Sequence, residues 1–106
     1  MNISRIIEGK KYNTQTAELV ADYWNGRGGG DFHALSEELY LTKRGAWFIA
    51  YNGGALTYAA VSCGNNSTCG SKGIRTLTAE EAMEWLENHE ETEALEAHFS
   101  DKIVEA

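Results

Sequence analysis

Glu38-Leu39-Tyr40-Leu41-Thr42, Lys43-Arg44-Gly45 and Ala46-Trp47-Phe48-Ile49-Ala50-Tyr51 are the consecutive segments on which the fold turns. Two runs of aliphatic and aromatic residues flank a three-residue turn that places glycine where left-handed backbone is needed, which predicts a β-hairpin. Neighbouring residues on a strand project to opposite faces, so Trp47 and Phe48 part company, and one of them is expected to meet a tryptophan of the C-terminal helix.

Working outward from the hairpin, Asn52-Gly53-Gly54 ends it. Ala55 to Ala60 suits a short strand or a turn of helix. Ser62 to Gly73 reads as a polar loop framed by Cys63 and Cys69, and Ile74 to Leu77 as a closing edge strand. Thr78-Ala79-Glu80-Glu81 then forms a capping box: the threonine hydroxyl accepts from the Glu81 amide while the glutamate reaches back to the cap. Leu77 can staple onto Ala82. Ala82, Trp85, Leu86 and His89 share one helical face, and Glu80, Glu84, Glu87 and Glu91 are expected to point to water. A second helix is expected from Thr92, with Leu95, Phe99 and Ile103 as its packing residues.

Toward the N-terminus, Ile3 to Tyr12 reads as a strand with a turn or bulge at Glu8-Gly9-Lys10. Thr14 to Trp24 fits both helical spacing (Ala17, Val20, Ala21, Trp24) and strand alternation (Ala17, Leu19, Ala21, Tyr23). The β-branched Thr14 and Thr16 favour the strand. Asn25 to Asp31, with three consecutive glycines, reads as a flexible, solvated loop. The expected fold class is α+β: a small antiparallel β-meander packed against an acidic C-terminal helix or pair of helices, in one domain spanning 1–106.

The totals agree with one core. The chain has 106 residues, 42% hydrophobic and with eleven aromatics, and no proline, so its turns rely on Gly, Asn, Asp and Ser. No apolar run approaches the roughly 20 residues of a membrane span, and the opening residues lack the apolar stretch of a signal peptide. A cytoplasmic location is expected. The net charge of −7 is unevenly distributed. Met1 to Leu77 has six acids and eight bases, or +2, whereas Thr78 to Ala106 has ten acids and one base, or −9. An acidic C-terminal segment disfavours phosphate-backbone binding there, so direct contact with nucleic acid is not expected.

No constellation carries a recognisable catalytic signature. Cys63 and Cys69 are expected as free thiols in a reducing compartment, with a disulfide and a zinc site completed by His89 and His98 as the alternatives. The histidines His33, His89 and His98 fall in three different elements, and nothing in the sequence supplies a nucleophile and an orienting group for any of them. Gly26-Arg27-Gly28-Gly29-Gly30 lacks the Lys-Ser/Thr pair of a phosphate loop and the spacing of a dinucleotide fingerprint. It is read first as a solvated loop and then as a partner contact centred on Arg27. No catalytic residue, metal or cofactor is expected.

Gly9-Lys10-Lys11-Tyr12-Asn13-Thr14-Gln15-Thr16-Ala17, Asp31-Phe32, Glu38-Leu39-Tyr40, Thr42-Lys43-Arg44-Gly45-Ala46-Trp47-Phe48, Gly53-Gly54, Tyr58-Ala59, Gly64-Asn65-Asn66-Ser67-Thr68 and Leu77-Thr78-Ala79-Glu80-Glu81-Ala82 with Trp85-Leu86 form a pattern over roughly residues 3 to 90. It resembles a group of small bacterial proteins frequent in prophages and other mobile elements. The glycine run and the two cysteines depart from that pattern. The resemblance implies a meander capped by a helix, and a protein-binding inhibitor of host defence of the anti-CRISPR kind. Such an inhibitor would engage a host protein or nucleoprotein complex with a basic surface. Glu80, Glu84, Glu87, Glu91 and Arg27 are the expected partner-binding residues. The rival readings are a small-anion or nucleotide sponge that uses the glycine-loop amides, and a small metal or thiol protein.

Overall fold

The computed structural model describes residues 1–28 and 30–106. The elements are β1 (Ser4–Ile7), β2 (Lys10–Asn13), β3 (Glu18–Trp24), β4 (Leu35–Leu41), β5 (Trp47–Gly53), β6 (Val61–Gly64), β7 (Ser67–Cys69), β8 (Ser71–Leu77), α1 (Ala79–Asn88) and α2 (Thr92–Phe99). A short 3-10 turn, Ser100–Lys102, follows α2. The class is α+β. Strands β3-β4-β5-β8 form one antiparallel sheet, while β1-β2 and β6-β7 are separate two-stranded ribbons.

The deciding hairpin is β4–β5, in register from Leu35↔Gly53 to Leu41↔Trp47. Its turn has Gly45 at φ 86°. The Thr42 side-chain oxygen accepts from the Ala46 amide at 3.0 Å, which fixes the turn from the side. In the ambiguous segment the strand prevails. Thr14 to Thr16 make a turn on Asn13, and β3 begins at Glu18 with a register shift between Leu19 and Ala21. The bulge reconciles the two periodicities, because it lets Val20, Ala21 and Tyr23 all pack toward the helices.

The turn expected at Glu8-Gly9-Lys10 is present, but it reverses the chain: Glu8 (φ 52°) and Gly9 (φ 78°) divide Ile3 to Tyr12 into the β1–β2 hairpin and not a single strand. Ala55 to Ala60 is a run of turns rather than strand or helix. Ser62 to Gly73 is not an irregular loop, since it contains the β6–β7 hairpin and the start of β8.

The capping box at Thr78 forms as expected: Glu81 N donates to Thr78 Oγ1 at 3.1 Å, and Thr78 N donates to Glu81 Oε1 at 2.8 Å. Helix α1 buries Ala82, Trp85 and Leu86, and α2 buries Phe99, against Leu39, Trp47 and Ile49. Trp47 is thus the tryptophan that shares a core with Trp85. Ile103, expected to pack with α2, is exposed. The other face of the sheet carries Tyr40, Phe48 and Ala50, and the β1–β2 hairpin covers it with Ile3 and Tyr12. Tyr40 stacks on Phe48 at 5.2 Å and Tyr12 meets the same ring edge-on at 5.6 Å. Both faces of the central strands are therefore buried, not one. Phe48, Leu39, Ile49 and Leu86 are sealed from solvent, each worth about 1.5–3 kcal/mol.

Candidate functional site

Three arrangements emerge from this frame. The first is the acidic surface. Glu80, Glu84 and Glu87 lie at i, i+4 and i+7 on the exposed side of α1, opposite its apolar stripe. At 1.5 Å rise per residue this row is about 10 Å long. Glu91 is half-buried, not fully in water, because it stands where α1 hands over to α2: its amide donates to Leu86 O at 2.9 Å and its carbonyl accepts from Leu95. None of the four makes an ion pair with another described residue. Their field is left open to solvent.

Arg27 is not part of that surface. Its Nη1 lies 3.2 Å from Asp31 Oδ2 within its own loop. The loop itself is knit rather than loose. Trp24 Nε1 donates to Arg27 O at 2.8 Å, Asn25 Oδ1 accepts from the amides of Arg27 and Leu35, and Asn25 Nδ2 donates to His33 O at 2.7 Å. Asp31 Oδ1 accepts from the His33 amide at 2.7 Å. That backbone hydrogen bond, helped by Arg27, holds the Asp31 carboxyl below its ordinary range. Gly29, inside the glycine run, lies outside the described residues.

Facing this loop stands the β6–β7 hairpin, and here the cysteine expectation fails. Cys63 and Cys69 are joined in a disulfide, not free. The tight turn at Asn66 (φ 57°) folds β6 onto β7 and brings the two Cα atoms within 5.8 Å, inside the normal span of the bond. The sulfurs are consequently not available to a zinc ion, and no group of three or more His, Cys, Asp or Glu among the described residues is placed to hold a metal. Loop and hairpin together wall a cleft of about 810 Å³, lined among others by Trp24, Arg27, Phe32, Thr68, Cys69 and Lys72. Gly70, which also lines it, lies against backbone; a Cβ there would sit 2.8 Å from Gly54 Cα. The two loops that sequence reading kept apart thus border one concavity.

The third arrangement is a buried carboxylate that sequence reading missed. Glu37 on β4 is 5% exposed. Trp85 Nε1 donates to its Oε1 at 3.0 Å, the Tyr58 hydroxyl donates to Oε2, and Arg75 Nη2 stands 3.5 Å from Oε2. The Arg75 guanidinium also lies over the Tyr58 ring at 5.6 Å. Burial, followed by the bond to Glu37, pushes the Tyr58 hydroxyl pKa well up. One signal was available: Glu37 occupies the same strand parity as the core residues Leu39 and Leu41, an inward position where an acid needs partners.

The three histidines have different neighbours. His89 packs with its ring tilted against Trp85 (4.1 Å) and Tyr23 (4.5 Å), His98 meets Trp47 edge-on and lies 3.7 Å from Glu18, and His33 is exposed beside Asp31. No helix among the described residues is long and apolar enough to cross a membrane. Comparison with protein-family models, with curated proteins and with solved structures yields no match.

Proposed function

We propose that this protein is a small inhibitor of a host defence complex, of the anti-CRISPR kind, which acts by stoichiometric docking and not by catalysis. The observation that carries the reading is the row of Glu80, Glu84 and Glu87 on α1, with Glu91 at the turn into α2. These carboxylates are not neutralised by ion pairs among the described residues and lie within a segment of net charge −9. A fixed row of like charge on a capped helix attracts a basic groove over a Debye length and orients the encounter. The partner is a cytoplasmic protein or nucleoprotein complex whose basic surface normally meets a polyanion. In that reducing compartment the Cys63–Cys69 bond is open to reduction.

The test replaces Glu80, Glu84, Glu87 and Glu91 by Gln, which removes four charges and leaves Ala82, Trp85 and Leu86 in place. The purified defence complex is immobilised and association is followed at several salt concentrations. The quadruple variant should melt like the wild type yet associate at least about tenfold more slowly at low salt, and the difference should shrink as salt rises. Equal rates with equal salt response would reduce the acidic face to a solubilising surface.

A further inference from the structure

We infer that the cleft between the glycine-rich loop and the disulfide-bonded hairpin binds a phosphorylated heteroaromatic ligand, a nucleotide either free or as a unit of a single strand. Isolated exposed apolar side chains are ordinary on a protein surface. Here two large aromatics, Trp24 (62% exposed) and Phe32 (66% exposed), line one concavity together with two cations, Arg27 and Lys72. Two exposed aromatic side chains bordering one concavity can serve as a stacking platform, which accepts any planar base. The guanidinium and the ammonium supply the charge that a phosphate needs, and the guanidinium can meet it through two parallel N–H donors.

Two further features fit a small ligand. A volume of about 810 Å³ falls within the range of roughly 300–1,000 Å³ typical of small-molecule clefts. The platform is also preorganised. The Trp24 indole N–H is anchored on Arg27 O at 2.8 Å, so the ring that stacks and the residue that carries the charge are held together before any ligand arrives. Asp31, which also lines the cleft, takes one N–H of the Arg27 guanidinium at 3.2 Å, and the guanidinium has five such donors. The site uses neither α1 nor its glutamates and does not depend on the docking reading above.

Trp47 and Trp85 are both buried, so a ligand added to the intact protein quenches indole emission chiefly through Trp24. The experiment titrates adenosine triphosphate, guanosine monophosphate, a short oligothymidylate and inorganic phosphate, by fluorescence and by calorimetry. We expect saturable quenching by the nucleotides. Trp24→Ala and Arg27→Gln should each weaken calorimetric binding about tenfold with unchanged melting, because both side chains are more than half exposed. A mononucleotide that binds as tightly as the strand identifies a free nucleotide as the ligand, and a much tighter strand identifies single-stranded nucleic acid. Failure of every nucleotide probe to bind at millimolar concentration overturns the inference. So does binding by either variant at wild-type strength, or inorganic phosphate that binds as well as the nucleotides.

Discussion

Replacing Trp85 by phenylalanine keeps a ring in the core but removes the N–H that Glu37 Oε1 accepts at 3.0 Å. Glu37 is 5% exposed, so water cannot readily replace that donor. Loss of a hydrogen bond to a buried charged group costs about 1.5–3 kcal/mol. The smaller ring adds a cavity of its own, so the total expected is about 2.5–4 kcal/mol. A domain of this length is stable by only about 5–15 kcal/mol, which makes the loss easy to measure. Trp85→Ala, at about 3–5 kcal/mol for packing alone, leaves the protein near the edge of folding. Urea denaturation followed by far-ultraviolet circular dichroism gives the numbers without depending on the fluorophore removed. The decisive comparison repeats Trp85→Phe in a Glu37→Leu background. There the substitution should cost only the cavity, about 1 kcal/mol, for a coupling of about 1.5–3 kcal/mol. A Trp85→Phe cost that is the same in both backgrounds, within about 0.5 kcal/mol, would refute the reasoning that the hydrogen bond from Trp85 to buried Glu37 contributes to stability.

Alkaline pH should destabilise the fold in a defined window. Burial, and then the bond to Glu38 at 2.9 Å, push the Tyr40 hydroxyl up to about 12, against about 10 in the unfolded chain. A phenol whose pKa is raised by folding contributes stability that is complete below the unfolded pKa and is lost as pH rises through the folded one. Melting temperature should thus hold below about pH 10 and fall toward about pH 12, with a shallower fall in Tyr40→Phe; a profile that stays flat over that interval contradicts the burial of Tyr40. For the disulfide, Cys63→Ser with Cys69→Ser removes a cross-link worth about 2 kcal/mol by loop-closure entropy. All ten residues 61–70 are exposed, so the effect should stay local. Amide exchange in β6 and β7 should speed by about thirtyfold with little change in the urea midpoint, whereas a large midpoint shift would show that the hairpin braces the core.

The sequence by itself determined whatever depends on neighbours along the chain. The Lys43-Arg44-Gly45 turn, the opposite facing of Trp47 and Phe48, the Thr78–Glu81 capping box and the apolar stripe of Ala82, Trp85 and Leu86 are all set by spacings of a few residues. There the backbone's own periodicity and turn chemistry dominate. The exposure of Glu80, Glu84 and Glu87 follows from the same helical period. Tertiary structure decided the rest. Whether Thr14 to Trp24 was strand or helix depended on β4 as a partner, since an apolar pattern that fits both periods is settled by the ladder it can join. The return of β1–β2 over the second face, the pairing of Cys63 with Cys69 and the enclosure of Glu37 by Trp85, Tyr58 and Arg75, separated from it by 48, 21 and 38 residues, are not recorded by local spacing. The cleft that unites Arg27 with Lys72 belongs to this second class. Its walls come from segments that meet only because the sheet carries both to the same end of the molecule.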